Sequence, residues 1–337
     1  MKAAVVETPG KLVVRDVAEP IVGEYDCLCE TLYGATCTGT DSHLIHGDPM
    51  PFDVFYPLML GHESIGRVLR VGAGVENFEP GDLVTRVINR NMGGLHSFWG
   101  GFAERTIIED HQAIRKHNGR DIDIGAGIHQ VLPAQTDPAA ATMVITWRET
   151  LSFINRIGVD EGDAVLVIGS GGNGLSFANH AKNLGAQNVA MVGSARRKAA
   201  ASAVGCEAFF SYRREDLSAA VREVGPFDLI IDAVGKTGQL DRVLPTLKAG
   251  GKIAMYGIDD FGKVTVLPTL APGSFTWSSP GYDEGEAHAA VIDFMQAGNL
   301  RAEDYLDMEN IFPLDEIGQA FDAVSCRDVI KAVVRLA

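Results

Sequence analysis

Cysteine is scarce: the 337 residues contain five, an odd number, at positions 27, 29, 37, 206 and 326. Their spacing suggests no disulfide framework, which excludes a secreted disulfide scaffold and fits a reducing compartment. Positive charge is also short. Lys and Arg number 29 against 44 Asp and Glu, leaving a net charge of −15. Nucleic acid is therefore not an expected partner, because its phosphates select a basic surface. No run approaches the roughly 20 apolar residues of a membrane span. The opening MKAAVVETPGKL has no long apolar stretch after its lysine, so no export signal is expected either. The expectation is a cytoplasmic protein acting on a small molecule, away from membranes. The hydrophobic fraction of 46% and charged fraction of 22% are ordinary for a folded chain. The length suggests about two domains.

What is present changes character along the chain. Residues 1–150 read mainly as short strands and loops, such as MKAAVVE, KLVVRDV and YDCLCETLY, separated by Gly and Pro turns. After about residue 150, strands and helices alternate. DAVLVIGSGGNG leads into a helix ending at Gly185. QNVAMVGS leads into a helix ending at Gly205. CEAFFSY, FDLIIDAVG and KIAMYGI follow as strands, with helices over REDLSAAVREVG and GQLDRVLPTLKAGG between them. This alternation predicts an α/β doubly wound parallel sheet, with its ligand at the carboxyl ends of the strands. LAPGSFTWSSPGYDEGE reads as a loop leaving that sheet. Two helices and the strand KAVVRLA close the chain.

Gly169, Gly171 and Gly174 form GxGxxG between a predicted strand and a predicted helix. In that context the glycines allow a tight turn, close approach of backbone to a pyrophosphate, and close helix–strand packing. The helix N-terminus offers free N–H groups to the phosphates. An NAD site wants an acid at the end of the second strand, about 20 residues on, for the ribose 2′-hydroxyl. This chain has Gly193, Ser194, Ala195, Arg196, Arg197 and Lys198 there. With no carboxylate to repel a 2′-phosphate and several cations to bind one, NADP is expected over NAD.

The first half holds two unusual clusters, Cys37-Thr38-Gly39-Thr40-Asp41-Ser42-His43 and Gly61-His62-Glu63. Cys and His are common zinc ligands, with carboxylates next. Zinc acting as a Lewis acid lowers the pKa of an alcohol so that hydride can leave. Thr40 and His43 could pass the proton to solvent.

GHESIGRVLRVGAGVENFEPGDLV, the later GGFAE and the strand followed by GSGGNG resemble the medium-chain alcohol dehydrogenase superfamily over essentially the whole chain. The resemblance implies a GroES-like β-rich catalytic domain, 1–150 completed by 289–337, and a Rossmann domain, 151–288. It implies Cys37 and His62 as zinc ligands and Glu63 as the acid beside the metal. Thr40 becomes the relay hydroxyl, Asp41 the acid behind it, and His43 a histidine found in many members. Gly193-Ser194 resembles the NADP-selective branch, in which a later tyrosine, here Tyr212, approaches the phosphate. The chain departs from the family pattern in three places. An extra residue between Cys37 and Asp41 leaves open whether Thr38 takes the ligand position. The remaining ligand position falls at Thr146, with Glu149 one helical turn on as a reserve. Residues 90–120 contain no Cys, so one catalytic zinc and no structural zinc are expected.

The leading expectation is an NADP-dependent enzyme interconverting a secondary alcohol and a ketone, assembled as a homodimer or homotetramer as the resemblance implies. The alternative is a zinc-free NADPH-dependent reductase of the same fold, acting on a C=O or activated C=C bond. A non-catalytic NADP-binding protein is a third class, disfavoured by the clustered Cys, His, acid and hydroxyl. Arg86, Asn89, Arg90, Asn91, His96 and Trp99 follow GDLV in TRVINRNMGGLHSFWGG. That polar segment suggests a polyol, sugar or anionic substrate.

Overall fold

The computed structural model describes residues 1–119 and 127–337. The chain forms two compact units, one of residues 1–148, 283–288 and 306–337, the other of 149–282 and 289–305. Sequence alone suggested boundaries at 150/151 and 288/289. The first falls two residues earlier, and 289–305 goes with the second unit.

The first unit begins with β1 (Lys2–Thr8), β2 (Lys11–Asp16), β3 (Asp26–Ala35), α1 (Thr40–His46), β4 (Leu58–Met59) and β5 (Glu63–Val71). It continues through β6 (Leu83–Thr85), β7 (His96–Ser97), β8 (Arg105–Glu109) and α2 (His111–Asn118). Side chains alternate across a strand, and β1 uses both faces. Ala4 and Val6 enter a core with Leu58, Leu60, Phe102 and Phe321, while Ala3 and Val5 enter another with Met59, Leu95 and Ala103. Cys27 and Cys29 pack with Val68, Val84 and Ile108. Burial pushes the Cys27 thiol up to about 12, so these cysteines serve as apolar filling. β3 pairs antiparallel with β5, Ala35 opposite Glu63. That register sets Glu63 across from a residue two before Cys37.

The second unit is entered through α3 (Met143–Ile157). It contains β9 (Ala164–Ile168), α4 (Gly172–Asn183), β10 (Asn188–Gly193), α5 (Lys198–Ala203), β11 (Ala208–Ser211), α6 (Leu217–Arg222), β12 (Phe227–Asp232), β13 (Leu247–Met255), β14 (Thr276–Ser278) and most of α7 (Glu284–Gln296). The sheet order is β11-β10-β9-β12-β13-β14, all pairs parallel. This is the doubly wound order, with its switch point between β9 and β12. Two local expectations fail. The helix expected over 238–251 does not form: turns lead to a single 3₁₀ turn at Leu244–Thr246, then β13. Pro245 lacks the N–H an α-helix needs, yet Leu240, Val243 and Leu244 still fill the core. The expected loop around Trp277 contains β14, too short to show a period.

The chain returns to the first unit with β15 (Phe312–Pro313), α8 (Ile317–Ser325) and β16 (Val333–Arg335). Ile317, Ala320, Phe321 and Val324 of α8 recur on one helical face and join the core under β1. β16 pairs antiparallel with β3, Val333 opposite Ala35. No helix among the described residues is long and apolar enough to cross a membrane.

Asp110 shows how the loops of the first unit are held. It caps α2 by accepting from Ala113 N at 3.0 Å, and accepts from Glu76 N, Asn77 N and Asn77 Nδ2 at 2.8 Å each. Burial opposes its charge, but these donors outweigh burial and hold its pKa below the usual value. Asp110→Ala should cost about 2 kcal/mol, from a lost cap and stranded donors. A lowered carboxylate pKa stabilises the fold above the unfolded value, near 4, and that stability is lost as pH falls through the folded value. Urea melts of wild type and variant should therefore differ most at neutral pH and converge as the buffer is made more acidic than pH 4.

Candidate active site

Cys37, His62 and Glu63 come together, with one potential ligand atom from each lying within 4.8 Å of the others, and all three buried. Their geometry follows from strand ends. Cys37 follows β3, and His62 and Glu63 start the paired strand β5. Gly61 makes the turn before His62 at φ +98°, and a Cβ there would lie 2.6 Å from Phe102 N, so only glycine fits. The alternative candidate Thr38 is exposed, whereas Cys37 is buried beside His62 and Glu63.

Asp41, in the first turn of α1, organises the group. One carboxylate oxygen accepts Cys37 N at 3.0 Å, and the other lies 3.0 Å from His62 Nδ1. A carboxylate on Nδ1 fixes the ring and leaves Nε2 for a ligand; Nε2 lies 3.8 Å from Glu63 Oε1. Burial pushes the His62 pKa down, but Asp41 and then Cys37 outweigh it and hold it well above its usual value. Thr40 opens α1, half-buried, and His43 sits one turn on, buried.

Thr146, at the remaining family ligand position, donates its hydroxyl to Glu63 Oε1 at 2.8 Å. The other Glu63 oxygen accepts from the ammonium of Lys331, which also donates to Thr36 O at 3.3 Å. Burial works against charge on Lys331, but Glu63, Cys37 and Asp41 raise its pKa. Sequence reading missed this lysine. Its signal was a lone cation opening the apolar KAVV run, but the partner lies 268 positions away. Glu149 opens the second unit, where Tyr256 donates to its carboxylate at 3.3 Å.

The donor set fits a divalent metal by its chemistry. Cys37, His62 and Glu63 bring a sulfur, an imidazole nitrogen and a carboxylate oxygen together in a buried group, and these are the ligand types that zinc takes. The two buried carboxylates have partners of their own, Asp41 facing His62 and Glu63 facing Lys331.

The polar side chains after β6 have partners within the protein. Arg86 pairs with Glu284 at 2.5 Å, and Arg90 pairs with Asp26 at 2.8 Å and with Glu109 at 2.5 Å. Asn89 Nδ2 donates to Gly100 O and Arg105 O at 3.0 Å each, and Asn91 accepts Ser97 N at 2.7 Å. These side chains hold their own loop. The group facing His62 is aromatic: the Trp99 ring lies 5.2 Å from the imidazole, with Phe52 and Phe98 packed on it.

In the second unit Gly169 follows β9, Gly171 is the N-cap of α4, and a Cβ on Gly174 would lie 2.1 Å from Gly169 O. Helix and turn therefore meet backbone to backbone. Gly193 ends β10, and Ser194 leads into the 3₁₀ turn Ala195–Arg197, with Arg196 exposed and Arg197 half-buried. Tyr212 is brought beside them, its N donating to Gly193 O at 3.0 Å. Ser170, unremarked in the sequence, links the two turns: its hydroxyl accepts Ser194 N at 3.0 Å.

Comparison with known proteins agrees with this arrangement. Residues 24–118 match the model of the alcohol dehydrogenase GroES-like domain, and 172–286 match that of the zinc-binding dehydrogenases. L-galactonate-5-dehydrogenase of Escherichia coli strain K12 is 25% identical over 355 residues, covering 99% of this chain and 98% of its own. A zinc-binding dehydrogenase from Sinorhizobium meliloti 1021, solved with NADP, superposes with TM-score 0.79 at 24% identity, over 99% of this chain and 98% of its own. An alcohol dehydrogenase from E. coli CFT073, solved with NADH, superposes with TM-score 0.80 at 20% identity, over 100% of this chain and 99% of its own. The two solved structures share the fold and hold different nucleotides.

The Glu63–Lys331 pair yields a direct test. Lys331→Met leaves Glu63 buried without its cation and should cost about 3–5 kcal/mol in denaturant unfolding. Lys331→Met/Glu63→Gln should recover most of that loss, since it removes both charges. A double variant no more stable than the single one would refute the coupling.

Proposed function

The chain belongs to the zinc-type medium-chain alcohol and polyol dehydrogenase superfamily, and from that premise we propose that it transfers hydride between NADP(H) and a secondary alcohol or ketone. The observation that carries this is the buried Cys37–His62–Glu63 group, whose potential ligand atoms lie within 4.8 Å of one another. We assign zinc to it, with Glu63 as the carboxylate. Zinc bound there supplies Lewis acidity, lowering the pKa of the substrate hydroxyl.

The chain's own residues do the remainder. Asp41 orients His62 through Nδ1, and Thr146 and Lys331 hold Glu63. The Thr40 hydroxyl takes the substrate proton and His43, one turn along α1, delivers it towards solvent. Gly169, Gly171 and Gly174 admit the pyrophosphate to the N-terminus of α4. Ser194, Arg196 and Arg197 bind the 2′-phosphate, with Tyr212 against it. The missing acid after β10 favours NADP. The substrate we propose is a polyol, sugar or sugar acid, stacking a C–H face on Trp99. Relatives such as L-galactonate-5-dehydrogenase support that class.

Purified enzyme should carry about one zinc per chain, and Cys37→Ser should lose zinc and activity together, because a hydroxyl is a far poorer ligand than a thiolate. Elemental analysis beside a polyol-dependent NADPH assay measures both. A chelated, zinc-free enzyme with undiminished turnover would replace this reading with the zinc-free reductase. That outcome has its own structural support, since both oxygens of Glu63 already have donors.

A further inference from the structure

The loop after β11 carries three consecutive residues of interest, Tyr212, Arg213 and Arg214, beside the Gly193–Ser194 turn. With Arg196, Arg197, Lys198 and Arg242 they gather six cations into a short stretch of sequence and its neighbour, in a chain whose net charge is −15. The acids nearby in sequence are Glu215, Asp216 and Asp241; Asp216 is taken by Arg214 at 2.5 Å, and Asp241 accepts Leu267 N at 2.9 Å. The Arg213 guanidinium lies over the Tyr212 ring, 5.8 Å from its centroid.

Local hydrogen bonds alone hold this loop lightly. Arg213 N donates to Ser211 Oγ at 3.2 Å, and Arg214 N to Ser211 O at 3.0 Å. The stronger grip comes from Arg242, 30 positions away. Its guanidinium donates through Nη1 to Tyr212 O and through Nη2 to Arg214 O, the latter at 2.5 Å. The base of Arg242 is itself fixed, because Leu240, Val243 and Leu244 on either side are core residues. A planar fork anchored in the core thus spans two carbonyls of the loop, a geometry an ammonium cannot reproduce.

We propose that Arg242 is a positioning residue for cofactor selection: it holds Tyr212 and Arg213 against the Gly193–Ser194 turn, so that the loop reads the cofactor's 2′-phosphate. The proposal rests on the NADP reading above. In this role Arg242 acts through the loop backbone, its guanidinium engaged by the Tyr212 and Arg214 carbonyls. Its role is therefore specific to the phosphate-bearing cofactor. The pyrophosphate turn at Gly169–Gly174 is tied to the Gly193–Ser194 turn through Ser170 and not through Arg242, so it should keep its grip on both cofactors.

The test is fluorescence titration of NADPH and NADH against wild type, Arg242→Met and Arg242→Lys, with 2′,5′-ADP and 5′-AMP as competing probes. Wild type should prefer NADPH by at least about tenfold, and Arg242→Met should lose about tenfold in NADPH and 2′,5′-ADP affinity while NADH and 5′-AMP stay within about twofold. Unchanged NADH binding also reports that the unit remains folded. Arg242→Lys should fall between, since it keeps the charge but not the fork. Equal losses for both cofactors would make Arg242 merely structural and overturn the proposal. A preference that survives Arg242→Met intact, or is fully restored by lysine, would also overturn it. A wild type with no preference for NADPH removes the NADP reading and the role together.

Discussion

The constraint from which the rest of the structure follows is a buried cluster of ionisable groups. Asp41 and Glu63 are carboxylates with almost no exposure, and Cys37 is buried beside them. A folded protein does not keep charge away from water unless partners offset it. Here Asp41 faces His62, and Glu63 faces Lys331 and Thr146. The same ties bring the Cys37 sulfur, a His62 ring nitrogen and a Glu63 oxygen together.

Meeting that constraint demands a fold that brings four distant segments together. Residues 37–41 follow β3, 62–63 open β5, Thr146 comes from α3, and Lys331 precedes the terminal strand. The antiparallel pairing of β3 with both β5 and β16 does this with backbone ladders, so the site is set by register. Thr146 illustrates the chemistry that results. At a position where family resemblance implied a ligand, the chain places a hydroxyl that donates to Glu63. The carboxylate is thereby oriented from one side by a neutral donor and from the other by a cation.

Legibility in the sequence followed the range of the interaction. The glycine turn and the short helix read on LDEIGQAFDAV are local patterns, and the structure has both, the helix as a 3₁₀ turn at Leu314–Glu316 running into α8. Cys37, His62 and Asp41 were readable because each lies in a short distinctive motif. Lys331 and Arg242 were not, since an isolated cation carries no mark of a partner 268 or 30 positions away. The partners of the polar run from Arg86 to Asn91 were hidden for the same reason, since Asp26, Glu109 and Glu284 lie elsewhere in the chain. The helix expected before β13 failed on a purely local point, Pro245, that amphipathic spacing outweighed in the reading.

The most direct test of the metal assignment is the coordination shell in the purified enzyme, measured by X-ray absorption at the zinc edge. The account predicts one sulfur at about 2.3 Å, from Cys37, and the remaining scatterers nitrogen or oxygen at about 2.0–2.2 Å. The sulfur should vanish in Cys37→Ser. A shell of nitrogen and oxygen alone in the wild-type enzyme would contradict it, because the zinc would then lie outside the buried group.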